Sequence, residues 1–146
     1  MIEFTDNGRR SDTRRKVNRL LYRLAVDSKP NNIALLGNVD ELTQLYLVKG
    51  APGAELYISN IPQQLSIAVI DTIEPKNTLA YFNDCLPHVH EGTMLVFTNI
   101  YKSKAMYQAW QQIKANLAVT VTVDLFWIGL VFFRKGQVRE DFRIRY

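Results

Sequence analysis

Hydrophobic and polar positions follow three rhythms along this chain, and each predicts a kind of element. Thr93-Met-Leu-Val-Phe-Thr98 and Leu65-Ser-Ile-Ala-Val-Ile-Asp71 are near-continuous apolar runs, the pattern of parallel strands covered on both faces. Ile33 to Leu36 is a shorter run of the same kind. Met106, Ala109, Trp110 and Ile113 recur at helical spacing, one stripe turned to a core, with Ser103 as the N-cap. Val119, Val121, Val123 and Leu125 alternate with Thr120, Thr122 and Asp124, the period of a strand. After Trp127-Ile128-Gly129, Leu130 to Phe133 forms its antiparallel partner. A β-α-β unit closed by a hairpin belongs to few architectures.

The remaining elements are set by caps and stops. Ser11 or Asp12 is expected to start a helix ending near Asp27, with Glu3 to Arg10 poorly ordered ahead of it. Val17, Leu20, Leu21 and Leu24 form its buried stripe, and Arg14, Arg15, Arg19 and Arg23 lie mostly outside. Gly37-Asn38-Val39 is a turn after the first strand, and Asp40 caps a helix carrying Leu42, Leu45 and Tyr46. Gly50 and Pro52 stop that helix. Glu55 to Ser59 alternates, which suits an edge strand. Thr72 to Asn77 reads as a loop, and Leu79, Phe82 and Leu86 place a helix before Pro87. Phe142, Ile144 and Tyr146 mark a further short strand. The order calls for a mostly parallel sheet with helices on its faces, built as a single domain over residues 1–146.

Charge changes the picture at the ends. Residues 1–30 hold eight basic and four acidic side chains, residues 31–133 five and eight, and residues 134–146 five and two. Basic ends on a mildly acidic body can attract nucleic acid, with an affinity that falls steeply as salt rises, but no aromatic interleaving or groove-reading motif accompanies them. Solvated faces are the preferred reading. No apolar run reaches the ~20 residues of a membrane span, and the first residues lack the plan of a signal peptide, so a cytoplasmic location without membrane association is expected. Cys85, the single cysteine, reads as a core residue. His88, His90 and Glu91 offer at most two well-spaced ligands, too few for zinc, and no metal site is expected. Asp71 and Asp124 are the acids expected at strand ends.

Leu79-Ala-Tyr-Phe-Asn-Asp-Cys-Leu-Pro-His-Val-His-Glu-Gly92, then Leu95-Val-Phe, Ile100-Tyr, Ser103-Lys, Ala109-Trp, Ile113-Lys and Asp124-Leu-Phe through Phe133-Arg-Lys135, resembles the C-terminal half of a bacterial subfamily of class I methyltransferases. The similarity is strong after Leu79 and weaker from about Arg14 to that point. It implies a Rossmann-like methyltransferase fold with a reversed last strand and S-adenosylmethionine as cofactor.

The same resemblance exposes departures. The family's first strand ends in an acid and two spaced glycines, whereas Leu35-Leu-Gly37-Asn-Val-Asp-Glu41 keeps only the first glycine. Glu41 stands where the backbone would approach a cofactor, and it also suits the first turn of a capped helix. Ser59 replaces the carboxylate that accepts the ribose hydroxyls, Asp71 is followed by a shortened Thr72-Ile-Glu-Pro75 loop, and Thr98-Asn99 replaces paired acids. These changes predict a non-catalytic, structural or partner-binding domain with no catalytic residues and no cofactor, and hence no binding of S-adenosylmethionine or its demethylated product. The alternative is an active methyltransferase acting on a small molecule through Gly37, Ser59 and Asp71. The resemblance also implies that the third strand and its helix are missing, since only Asn60 to Gln64 separate Ser59 from Leu65. Strands 55–59 and 65–71 are then expected to form an antiparallel hairpin, or 55–59 to pair with a second molecule. A homodimer through Glu55 to Gln64 is expected in either case.

Overall fold

The structure, a computed structural model, describes residues 2–144, with side chains from Thr13 onward. Two apolar clusters, one on each side of a central sheet, organise it. The strands are β1 (Asn32–Gly37), β2 (Glu55–Ile58), β3 (Ile67–Asp71), β4 (Met94–Thr98), β5 (Val121–Asp124), β6 (Ile128–Phe132) and β7 (Glu140–Arg143). The helices are α1 (Ile2–Ser28), α2 (Glu41–Gly50), α3 (Pro75–Cys85) and α4 (Lys104–Ala115). Among the described residues the strand order is β2-β1-β3-β4-β6-β5-β7. β1 to β4 run parallel, β6 is antiparallel to β4 and β5, and β7 pairs parallel with β5.

Side-chain alternation sends each strand residue to one cluster or the other. Ile33, Leu35, Val69, Val96 and Leu130 meet Val17, Leu21 and Ala25 of α1 and Leu47 of α2. Ala34, Leu36, Ile70, Phe97 and Val131 meet Phe82 and Cys85 of α3 and Trp110 and Ile113 of α4. Every residue of β3 and β4 is buried, as the continuous apolar runs require. Ser103 caps α4 by accepting from Met106 N–H at 3.1 Å. The three layers, the C-terminal hairpin and the missing third strand and helix agree with the expected Rossmann-like methyltransferase architecture. The expected tail strand is β7, and Tyr146 lies outside the described residues.

Four expectations are corrected. β2 stays beside β1 in parallel, so it neither makes a hairpin with β3 nor leaves the sheet. The crossover is short because β2 is short and ends only two residues beyond the level at which β3 begins. Ile58 aligns with Leu35, and Ile67 aligns with Ile33 only two residues upstream. At ~3.3 Å per residue and ~4.8 Å between strands, the ends lie about 12 Å apart. Residues 59–66 reach roughly 26 Å when extended, enough to pass over the sheet with Leu65 buried and Ile61 half-buried in the α3–α4 cluster. Second, α1 begins at Ile2 and has no cap at Ser11 or Asp12. The stretch from Glu3 to Arg10 contains no proline, and acids at positions 3 and 6 suit a helix N-terminus.

Third, α2 buries Thr43 and Leu47, leaving Leu42 and Leu45 exposed. Its inward face is chosen by α1, whose buried Asn18 Oδ1 accepts from the Thr43 hydroxyl at 2.7 Å. Fourth, Arg14 does not lie outside with Arg15, Arg19 and Arg23 but turns inward to the sheet.

Candidate functional site

The chain leaves β1 toward β2 on one side and returns to β3 on the other, so a topological switch point lies between β1 and β3. In open α/β sheets ligands bind beyond the carboxyl ends of the strands at such a point. Here those ends border a cavity of about 910 Å³, lined by Arg14, Asn38, Asp71, Asn99, Tyr101, Phe126 and Trp127 among others. The size falls within the ~300–1,000 Å³ range of small-molecule sites.

Gly37 makes the switch point possible. Its φ is +90°, and a Cβ there would lie 2.2 Å from the Asp71 carbonyl oxygen. Only glycine lets β1 end this close to β3, and Asn38 N–H then donates to that carbonyl at 2.8 Å. Asp71, 5 % exposed, accepts from Arg14 Nη1 at 2.9 Å, the Thr98 hydroxyl at 2.9 Å and the Asn99 amide at 3.1 Å. Thr98 and Asn99, which replace the paired acids of the family pattern, thus serve as donors to Asp71. The structure brings Gly37 and Asp71 together. Ser59 also follows a strand end, with φ +57° and its N–H donating to Leu35 carbonyl at 2.9 Å. It sits across β1 from Asp71, exposed, and does not line the cavity.

Glu41 is the exposed first residue of α2, where Asp40 accepts from Thr43 N–H at 2.7 Å, so this turn carries a capped helix start. Burial pulls the Asp40 carboxyl up, but the hydrogen bonds from Thr43 and the Arg14 guanidinium outweigh it and hold the group below its usual value. Asp124, 3 % exposed, accepts from the Tyr101 hydroxyl and from Phe126 N–H at 2.9 Å. Burial first, and then the bond to Asp124, push the Tyr101 hydroxyl up to about 12. Lys16 of α1 sits 5.6 Å from the Trp127 ring centre, a cation–π contact at the cavity wall.

His88 and His90 lie at the opposite end of the strands, before β4, where His88 Nδ1 is 3.3 Å from the Gln63 carbonyl and His90 Nδ1 accepts from Gly92 N–H at 3.1 Å. Among the described residues no group of three or more His, Cys, Asp and Glu is placed to hold a metal. Cys85 is a buried core thiol, as read, and burial pushes it up to about 12. Among the described residues no helix is long and apolar enough to cross a membrane.

Sequence reasoning missed Arg14, Phe126 and Trp127 as cavity residues. A signal for the first exists, because Arg14 shares the spacing of Val17, Leu21 and Ala25 and so points to the sheet. Nothing comparable marks Phe126.

These features define a Rossmann-like methyltransferase fold with its cavity at the switch point. No protein-family model matches the chain, and no curated protein matches it in sequence. Solved structures do match in shape. Cofactor-bound Rv0187 from MTB has a TM-score of 0.66 at 13% identity, over 83% of this chain and 81% of that one. A methyltransferase from Geobacter sulfurreducens has a TM-score of 0.62 at 12% identity, over 82% and 79%. An O-methyltransferase from Bacillus cereus in complex with SAH has a TM-score of 0.60 at 13% identity, over 80% and 80%.

These likenesses overturn the expectation of a non-catalytic domain without cofactor. The fold is shared with methyltransferases and with cofactor-bound proteins, and the substitutions that motivated the expectation leave the cavity open. Thr98 and Asn99 build its wall, and Glu41 is exposed and does not line it.

Proposed function

We propose that this chain is an S-adenosylmethionine-dependent methyltransferase acting on a small molecule. The observation that carries the reading is the 910 Å³ cavity at the β1–β3 switch point, bordered by Asn38 and Asp71. It is supported by the fold's likeness to an O-methyltransferase in complex with SAH.

The donor set fits the cofactor's polar groups. Only Nη1 of Arg14 donates to Asp71, so the rest of its guanidinium fork would meet a carboxylate, and the Asn38 side chain would take part in polar contacts beside it. Val17, Ile73 and Trp127 supply an apolar wall for a flat ring. When bound, S-adenosylmethionine supplies an electrophilic methyl group. Asp71, with three donors already engaged, holds Arg14, Thr98 and Asn99 in place and is a positioning residue. The Tyr101 hydroxyl stays protonated at neutral pH and acts as a donor. With no free imidazole among the lining residues and the carboxylate spoken for, the protein contributes alignment and exclusion of water. The acceptor must therefore bring a nucleophile that is reactive near neutral pH.

Calorimetric titration of S-adenosylmethionine and of S-adenosylhomocysteine into the purified protein tests this. Saturable binding with a Kd of roughly 10–100 μM is expected, weakened at least ~10-fold by Asn38→Leu, about 1.4 kcal/mol. No heat of binding up to millimolar ligand would overturn the reading.

A further inference from the structure

Beside the main cavity lies a second pocket of about 560 Å³, which shares Tyr101, Phe126 and Trp127 with it and adds Tyr107, Asp124 and Arg143. Its floor is a run of aromatic rings. Tyr101 stacks on Tyr107 with centroids 5.3 Å apart and on Phe126 at 5.2 Å, the planes inclined by 27° and 21°. Trp127 meets Phe126 edge-on at 4.8 Å.

Phe126 is the feature that folding alone does not explain. Its φ is +71°, a left-handed conformation that costs a bulky side chain energy and that glycine or asparagine would adopt freely in this turn. Its ring gains little burial in return, being 53% exposed. The surrounding structure nevertheless imposes the position. Asp124 accepts Phe126 N–H with one carboxylate oxygen and the Tyr101 hydroxyl with the other, so one buried carboxylate holds the two residues of the stacked pair. Strain of this kind, held in place by neighbours, clusters where a ligand is met.

Charge narrows the ligand further. The pocket's one carboxylate, Asp124, is turned inward and engaged. Arg143 stands at the rim, its Nε 3.9 Å from Asp124 and its side chain 70% exposed, so most of its guanidinium fork faces outward. Ring faces attract flat π-systems, and an exposed guanidinium pairs with a carboxylate or a phenolate.

We infer that this pocket is the acceptor site and that it takes a planar aromatic acid, its ring stacked on the exposed ring of Phe126 and its anionic group at Arg143. The acceptor role rests on the methyltransferase reading, whereas binding of the aromatic acid does not.

The probe is 4-hydroxybenzoate, titrated calorimetrically with and without saturating S-adenosylhomocysteine. Saturable binding is expected, at least 10-fold weaker for cyclohexanecarboxylate, which keeps the charge without the ring, and for benzyl alcohol, which keeps the ring without the charge. Phe126→Gly removes the ring and relieves the left-handed strain. It should melt at the same or a higher temperature while losing at least 10-fold in probe affinity. Arg143→Gln should lose a similar factor, together with the salt dependence. Absence of probe binding to the wild type, or undiminished binding by Phe126→Gly, would overturn the inference. So would competition between probe and S-adenosylhomocysteine, because the pocket would then be part of the cofactor's own space. Probe binding without cofactor binding would refute the methyltransferase reading and leave the aromatic-acid pocket standing.

Discussion

Arg14 ties α1 to the end of β3, and Arg14→Met measures what that tie contributes. Methionine keeps the unbranched stem and its packing beside Val17 while removing the charge. At the observed 2.9 Å separation, an effective dielectric of about 20 gives a gross attraction of roughly 6 kcal/mol. Much of this is offset, since the guanidinium gives up solvent to reach a carboxylate that is itself almost fully enclosed. The Arg14 side chain remains 35% exposed, and Asp71 would keep the Thr98 and Asn99 donors. A net loss of about 2 kcal/mol is expected, within the range of charge-assisted hydrogen bonds. With a urea slope of about 1.5 kcal/mol/M, the unfolding midpoint falls by roughly 1.3 M with the slope unchanged. Because part of the loss is an uncompensated buried carboxylate, adding Asp71→Asn should recover about 1 kcal/mol. A loss below about 0.5 kcal/mol would place Arg14 among ordinary surface residues, and strict additivity in the double variant would show that no coupling exists. Either result refutes the reasoning.

Three further outcomes follow from particular groups. Asp40→Ala should cost about 1 kcal/mol at neutral pH as a lost N-cap. Since folding lowers the Asp40 pKa, its contribution is present above 3.8 and disappears as pH falls through the folded value, so wild type and variant should converge in acid unfolding experiments. Tyr101 behaves in the opposite sense. Its folded pKa of about 12 lies above the ordinary 10.0, so its contribution is complete below pH 10.0 and is lost as pH rises toward 12, and Tyr101→Phe should flatten that part of the alkaline stability profile. A homodimer is proposed at the β2 edge, where Leu56 and Ile58 are exposed, as are Leu42, Leu45 and Val48 of the preceding helix. Glu55 and Ser59 direct their N–H groups to β1, which leaves those of Leu56 and Ile58 turned outward to pair across a two-fold axis. Light scattering at ~50 μM, within ordinary dimer affinities, should give twice the chain mass for wild type and the monomer mass for Ile58→Asp with Leu45→Lys. A monomeric wild type would refute the association, and an undisturbed dimer would refute its location.

Much of the fold was legible because burial on both faces leaves an unmistakable trace. The runs through Val69 and Val96 contain no alternation, which excludes exposed strands, and the stretch from Val119 to Leu125 alternates as a strand near a sheet margin does. The shortened connection was legible only in part. Counting residues between Ser59 and Leu65 correctly excluded a strand and a helix in that interval. It misjudged the crossover, because the distance to be spanned depends on how far β2 and β3 overlap along β1, a property of register that neither segment encodes. The face of α2 was misread for a related reason. Apolar spacing selected Leu42 and Leu45, but Asn18 reaching Thr43 turned the helix, and a buried polar pair outranks an apolar ridge when the pieces that would cover that ridge are absent.

The site divides along the same line. Gly37 and Asp71 announce themselves because a strand end must hold them wherever the sheet closes on a ligand, and the close approach of their backbones requires glycine. Thr98, Asn99 and Ser59 were read as losses, on the premise that a missing charge means a missing function. Two of the three turn out to be donors to the one acid that remains, so the site is reorganised around Asp71 instead of being emptied. Phe126 shows where sequence patterns stop. Left-handed backbone is forecast from glycine and asparagine, and a phenylalanine there is held only by a carboxylate two residues away in the chain and a tyrosine twenty-five residues away. A position that violates local preference, leaves half of its ring exposed and is still enforced from two directions is best explained by what it presents to a ligand.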